Sequence, residues 1–131
     1  MSGTTADGQM QIGVVAERTE LSIRTLRHYE EVGLVTPSAR SSGGFRLYTE
    51  DDVDRLRTIR RMKPLGFTLD EMRRLLESLD VLAASDADAD ARSAAAQFIA
   101  DCHTRATQSC AELRKQLDYA EEFQKVLAAR I

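Results

Sequence analysis

Two cysteines, two prolines and no tryptophan stand among 131 residues. Cys102 and Cys110 are too few for a disulfide framework and lack CxxC spacing, which points to a reducing compartment. No apolar run approaches the roughly 20 residues that a membrane span needs. The opening MSGTTADGQM lacks the basic, apolar and small-residue order of a secretory signal. These absences predict a cytoplasmic protein with no membrane partner. No nucleophile, base and orienting group fall into a pattern, and neither a phosphate-cradling loop nor a zinc quartet is present, so no reaction class and no cofactor are implied. A net charge of −3 excludes a nonspecific polycation but leaves room for a local basic face.

Apolar residues make up 43% and charged residues 30%, the balance of a folded soluble chain. The length allows one compact domain with one long element outside it. Charge is unevenly placed. Arg18 to Lys63 carries ten Lys/Arg against seven Asp/Glu, whereas Val81 to Ile131 carries six against eight.

Residues 1–10 are polar and read as a disordered leader. Ile12 to Thr19 has helical apolar spacing, and Ser22 is a suitable N-cap for a second helix over 23–32, stopped by Gly33. Two short helices joined by a tight turn, the second carrying Arg24, Thr25, Arg27, His28 and Tyr29, have the form of a helix-turn-helix. Gly43-Gly44 between two alternating segments signals a hairpin. Thr49 caps an acidic-fronted helix with Val53, Leu56, Ile59 and Met62 on one face, ended by Pro64 and Gly66. Thr68 and Glu71 form a capping box for a fourth helix with Leu69, Met72, Leu75, Leu76 and Leu79 on its buried side. Leu21, Ile23, Leu26 and Val32 are read as core, Phe45 and Phe67 as packing residues, and Arg55, Arg57, Arg60 and Arg61 as a solvated helix face.

AASDADAD over 83–90 reads as linker, and the rest, free of Pro and Gly, predicts one helix of up to about 40 residues, some 60 Å long. Ile99, Ala106, Leu113, Ala120 and Leu127 recur at seven-residue spacing, with Cys102 and Phe123 at d and Cys110, Leu117 and Ile131 at e. This is a coiled-coil seam, and an identical chain is its simplest partner. The expected organisation is a leader over 1–10, a DNA-binding domain over 11–80, a linker over 81–91 and a dimerisation helix over 92–131. The fold class is mostly α, a winged helix-turn-helix followed by a long coiled-coil dimerisation helix.

Arg24 and Arg27 lie three apart on one helix, so both can face a groove, where a guanidinium forks onto guanine or clamps a phosphate. Gly43 and Gly44 allow close backbone approach, bracketed by the cations Arg40 and Arg46. Ile12-Gly13-Val14-Val15-Ala16, Leu21-Ser22-Ile23-Arg24-Thr25-Leu26-Arg27-His28-Tyr29-Glu30, Gly33-Leu34-Val35, Pro37, Arg40, Gly44-Phe45-Arg46-Leu47-Tyr48 and Gly66-Phe67-Thr68-Leu69 together resemble the DNA-binding region of MerR-type transcriptional regulators of bacteria. The resemblance covers residues 11–79. It implies that Arg24, Arg27 and Tyr29 touch bases or phosphates, that Arg46 and Tyr48 hold a wing on the backbone, and that Lys63 adds a phosphate contact. Ser22, Thr25, His28, Arg40 and Gly44 complete the candidate DNA-binding set. His28 stands where the family usually has Tyr or Phe. The resemblance also implies an antiparallel homodimer on a palindromic promoter spacer, which it bends and untwists for RNA polymerase.

The effector is not encoded recognisably. No separate ligand-binding domain and no cysteine-bearing loop beyond the long helix is expected. Cys102 and Cys110 lie about 80° apart around a helix, so one chain cannot bring both to a metal at about 2.3 Å. A thiol or metal sensor would need Cys102, His103 or Cys110 to meet a second chain; otherwise the cysteines are seam residues. Two further readings compete with an effector-controlled regulator: an architectural winged-helix DNA-binding factor without effector, and a coiled-coil interaction protein that has lost DNA binding.

Overall fold

The computed structural model describes residues 8–131. Most of the expected leader lies outside them, but Met10 does not belong to it: Met10–Gln11 forms a short strand, β1, and the Met10 side chain is buried. The chain divides into two compact units, the first ending at Leu76 and the second running Glu77–Ile131.

In the first unit α1, Ile12–Thr19, follows β1 directly. Thr19 is buried and its hydroxyl donates to Val15 O at 2.7 Å, closing the helix from within. Glu20 then takes a left-handed conformation, φ 58°, unusual for a residue with a Cβ. The turn is held from outside, because Arg60 donates to Thr19 O at 2.9 Å and meets the Glu20 carboxylate at 2.6 Å. α2, Ile23–Glu31, starts at the Ser22 cap and stops at Gly33, whose φ of 73° suits glycine. Its last carbonyls accept from Val32, Gly33 and Leu34.

Ala39–Arg40 (β2) and Arg46–Tyr48 (β3) form the expected hairpin, and β1 adds to the free edge of β3, giving the antiparallel order β1-β3-β2. Met10 pairs with Tyr48, and Arg40 with Arg46. α3, Glu50–Met62, begins with a reciprocal cap: Thr49 N donates to Asp52 Oδ2 at 2.9 Å, and Asp52 N donates to Thr49 Oγ1. Asp52 also accepts from Ser38 Oγ at 2.7 Å, which accounts for a carboxylate that is largely buried. Val53, Leu56, Ile59 and Met62 are buried, as are Val15, Leu26 and Leu47 from the other elements of this unit. A 3-10 turn, Lys63–Leu65, and Gly66 at φ 79° lead to α4, Leu69–Ala83, which starts at the Thr68–Glu71 box. Met72 and Leu76 of α4 are buried, while Leu69 and Leu75 are only half-buried.

The second unit holds the end of α4 and α5, Ala89–Ala128, 40 residues long. The connection is 84–88, shorter than the expected 81–91, because Asp88 caps α5 through Ala91 N at 2.7 Å and Arg92 donates to Ala84 O and Leu82 O at the end of α4. Both helices therefore extend into the expected linker. Leu79 is exposed, against the expectation of a core position. Ile131 lies past the end of α5.

Candidate nucleic-acid interface

α2 shows a divided surface. Leu26 and Tyr29 turn inward, whereas Arg24, Arg27 and His28 are exposed and Thr25 is half-buried. An open hollow of about 890 Å³ lies over this face, bordered by Ile23, Arg24, Thr25, Arg27, His28, Tyr29, Glu31 and Lys63. Lys63 enters it from the 3-10 turn after α3, so residues nearly 40 positions apart in sequence share one concavity. Arg24, Arg27 and Lys63 form no ion pair with any described residue. Three unpaired cations round one concave surface are suited to a polyanion.

Two of the expected contact residues are largely buried in the free chain. Tyr29 is only 3% exposed and forms the floor of the hollow rather than reaching out of it. Tyr48 is 1% exposed, packed in the sheet, and its hydroxyl meets no hydrogen-bond partner among the described residues. Burial pushes both phenols above the ordinary tyrosine value, with the charge of Glu30 adding to the effect at Tyr48. Ser22 is engaged locally: its hydroxyl accepts from Thr25 N at 3.1 Å and donates to Thr25 Oγ1 at 2.9 Å.

The hairpin is a wing with a firm tip. Ser41 N donates to Phe45 O at 2.8 Å, Gly44 N to Ser41 O at 2.9 Å, and Phe45 N to Ser41 Oγ at 3.1 Å. Arg40 donates to Gly44 O at 3.2 Å. Gly44 has φ 82°, which suits glycine, while a Cβ at Gly43 would lie 3.2 Å from the Phe45 ring, a contact that the exposed ring can relieve by turning. Phe45 is 62% exposed, not packed as expected. Ile23, also expected in the core, is exposed at the start of α2 on the rim of the hollow. Both are large apolar side chains that stand next in sequence to cations of the interface, Ile23 before Arg24 and Phe45 before Arg46.

The wing arginines are not free. Arg46 pairs with Glu30 of α2 through its Nε, and Arg40 approaches the other oxygen of the same carboxylate at 3.5 Å. The arginines of α3 do more than coat a solvated face. Arg57 donates to Arg18 O at 3.3 Å and Arg60 to Thr19 O, so two side chains close the carboxyl end of α1. Arg73 does the same for α2 through Val32 O at 2.6 Å. Arg18 forks onto Glu50 at 2.5 and 2.8 Å, a hydrogen bond that holds the Glu50 carboxyl below its ordinary value and raises that of Arg18.

In the second unit the seam positions fall into two groups. Ile99, Cys102 and Ala106 are half-buried, while Cys110, Leu113, Leu117, Ala120, Phe123 and Leu127 are exposed. Tyr119 and Val126, one position before Ala120 and Leu127, are exposed as well and widen the stripe beyond the a, d and e columns. No group of three or more His, Cys, Asp or Glu among the described residues is placed to hold a metal ion. No helix among them is long and apolar enough to cross a membrane.

Comparison with known proteins covers nearly all of this architecture. The family of MerR helix-turn-helix regulatory proteins matches residues 10–79, and the MerR DNA-binding family matches residues 53–129. The uncharacterized HTH-type transcriptional regulator PA4778 of Pseudomonas aeruginosa is 36% identical over 116 residues, covering 88% of this chain and 86% of its own. The nodulation protein NolA of Bradyrhizobium elkanii is 45% identical over 67 residues, which are 51% of this chain. This chain spans only 31% of NolA. In fold, the chain is similar to HiNmlR, a MerR family regulator lacking the sensor domain and bound to promoter DNA, with a TM-score of 0.68 and 24% identity over 84% of this chain and 79% of that one.

Proposed function

The chain belongs to the MerR family of DNA-binding transcriptional regulators, and on that premise we propose that it acts as a homodimer gripping the two halves of a palindromic promoter spacer and distorting it. The observation that carries this reading is the set of unpaired cations Arg24, Arg27 and Lys63 round the hollow over α2. In the major groove, Arg24 and Arg27 fork onto guanine or phosphate, Thr25 and His28 make shorter polar contacts, and Ile23 offers an apolar contact to a thymine methyl. Lys63 clamps a phosphate beside them. The wing tip brings the Gly44 backbone and the Phe45 ring to the sugar-phosphate strand, with Arg40 and Arg46 behind.

The exposed stripe of Leu113, Leu117, Phe123 and Leu127 supports self-association. Left bare on a single helix, it would be a contiguous apolar surface of the kind that marks an interface. Pairing two chains lengthwise sets two recognition helices on one duplex, so each chain reads half of an inverted repeat. Bending a site of this size costs on the order of 1–6 kcal/mol, which the added contacts must offset, and that cost lets the bound regulator reset promoter geometry for RNA polymerase. Footprinting on genomic promoter fragments tests the proposal. One protected inverted repeat with enhanced cleavage at its centre is expected; cooperative coverage of tandem repeats would instead mark an architectural factor.

A further inference from the structure

We infer that Glu30 is a positioning residue that sets sequence discrimination, by holding both wing arginines against the recognition helix and withdrawing their charge from indiscriminate phosphate binding. This rests on the proposed placement of α2 and the wing on DNA. Glu30 lies on the last turn of α2, with its side chain only 17% exposed. Its two oxygens are divided between the strands of the wing: Oε2 faces Arg46 Nε on β3, and Oε1 lies 3.5 Å from Arg40 Nη2 on β2. Arg46 Nε and Glu30 Oε2 are buried and have no hydrogen-bond partner among the described residues, so each meets only the opposite charge of this ion pair. One carboxylate thus joins three elements.

Two consequences follow from charge. A phosphate seeking Arg46 must compete with a carboxylate already in place, and Glu30 itself repels the backbone it sits beside. Random DNA offers phosphates and little else, so it gains least from a wing whose cations are engaged. A matching site offers base contacts to Arg24 and Arg27, which depend on the angle between α2 and the wing, and the Glu30 contacts fix that angle. Removing the negative charge should therefore strengthen random binding and weaken selectivity together. A residue needed only for folding would do neither.

The test measures full-length wild-type chain and Glu30→Gln by fluorescence anisotropy on a random duplex and on a footprinted site, between about 50 and 200 mM salt. Freed arginines should raise the affinity of Glu30→Gln for random DNA about 3–10-fold and steepen its log-log salt dependence by about 0.9–1.8. The ratio of specific to random affinity should fall. Adding Arg46→Gln to that variant should return the salt dependence toward wild type. An unchanged or shallower slope for Glu30→Gln on random DNA, with or without a lowered melting temperature, overturns the inference. Should Glu30→Gln not fold, Arg46→Gln alone decides: a held Arg46 changes the random-DNA slope by less than half of what Arg24→Gln changes it, and equal changes overturn the inference. A wild-type chain that ignores every duplex defeats the DNA-binding placement as well, whereas a wild-type slope in Glu30→Gln defeats only the role of Glu30.

Discussion

The two units of the chain satisfy their surfaces in opposite ways. The first closes on itself: fifteen apolar side chains from Met10 to Leu76 are buried, and the exposed carbonyls at the ends of α1 and α2 are capped by Arg57, Arg60 and Arg73. Among the described residues of the second, Ala95 alone is buried, and the far half of α5 leaves Leu113, Leu117, Phe123 and Leu127 in solvent. Within one polypeptide, then, some arginines complete helix ends and others stay unpaired, and some leucines fill a core while others wait for a second surface. Composition does not separate these roles. Placement does.

The sharpest way to break this contrast is through the bare stripe. Leu113→Asp places a charge at the centre of the proposed pairing, and burying an unpaired charge is prohibitive, so light scattering should report single chains in place of dimers. In the first unit, Leu56→Ala should lower unfolding free energy by about 2–5 kcal/mol, read from denaturant midpoints, because the buried site cannot fully collapse. The unpaired cations come next. Arg27→Ala should cost roughly 1–3 kcal/mol on a specific site and relax discrimination, whereas Lys63→Ala should weaken specific and random duplexes about equally and lower the salt slope by about one, as titration binding would show.

The smallest effect belongs to the Arg18–Glu50 fork. Because Arg18 holds the Glu50 carboxyl below its ordinary value, its contribution is present above the unfolded carboxylate pKa of about 4.3 and is lost as pH falls through the lower folded value. Melting curves of wild type and Glu50→Gln should differ slightly at neutral pH and converge in acid. Both groups lie at the surface, so the difference stays small.

Local signals carried much of the fold. Ser22, Thr49 and Thr68 mark helix starts because a side-chain oxygen can satisfy an amide two or three residues on, and Gly33 and Gly66 mark stops because they take positive φ. The 40-residue α5 was legible from an uninterrupted stretch without Pro or Gly. The candidate surface was legible in part, through Arg24, Arg27 and Lys63. What stayed hidden depends on residues far apart in sequence. Glu30 meets Arg40 and Arg46 only after the wing folds back on α2, and Arg60 reaches Thr19 across 41 positions. The burial of Tyr29 and Tyr48 was equally hidden, because it is set by the inward face of α2 and by the place of β3 in the sheet. Phe45 is the reverse case, an apolar residue turned outward by its own hydrogen-bonded turn.

In the proposed assembly two copies of this chain hold one duplex symmetrically. Sedimentation of the protein with a footprinted inverted repeat, labelled on the DNA, tests it most directly. A complex of two chains per duplex is expected, retained when the half-sites are intact and lost when one is scrambled. A single chain per duplex, or equal binding to the scrambled sequence, would contradict it.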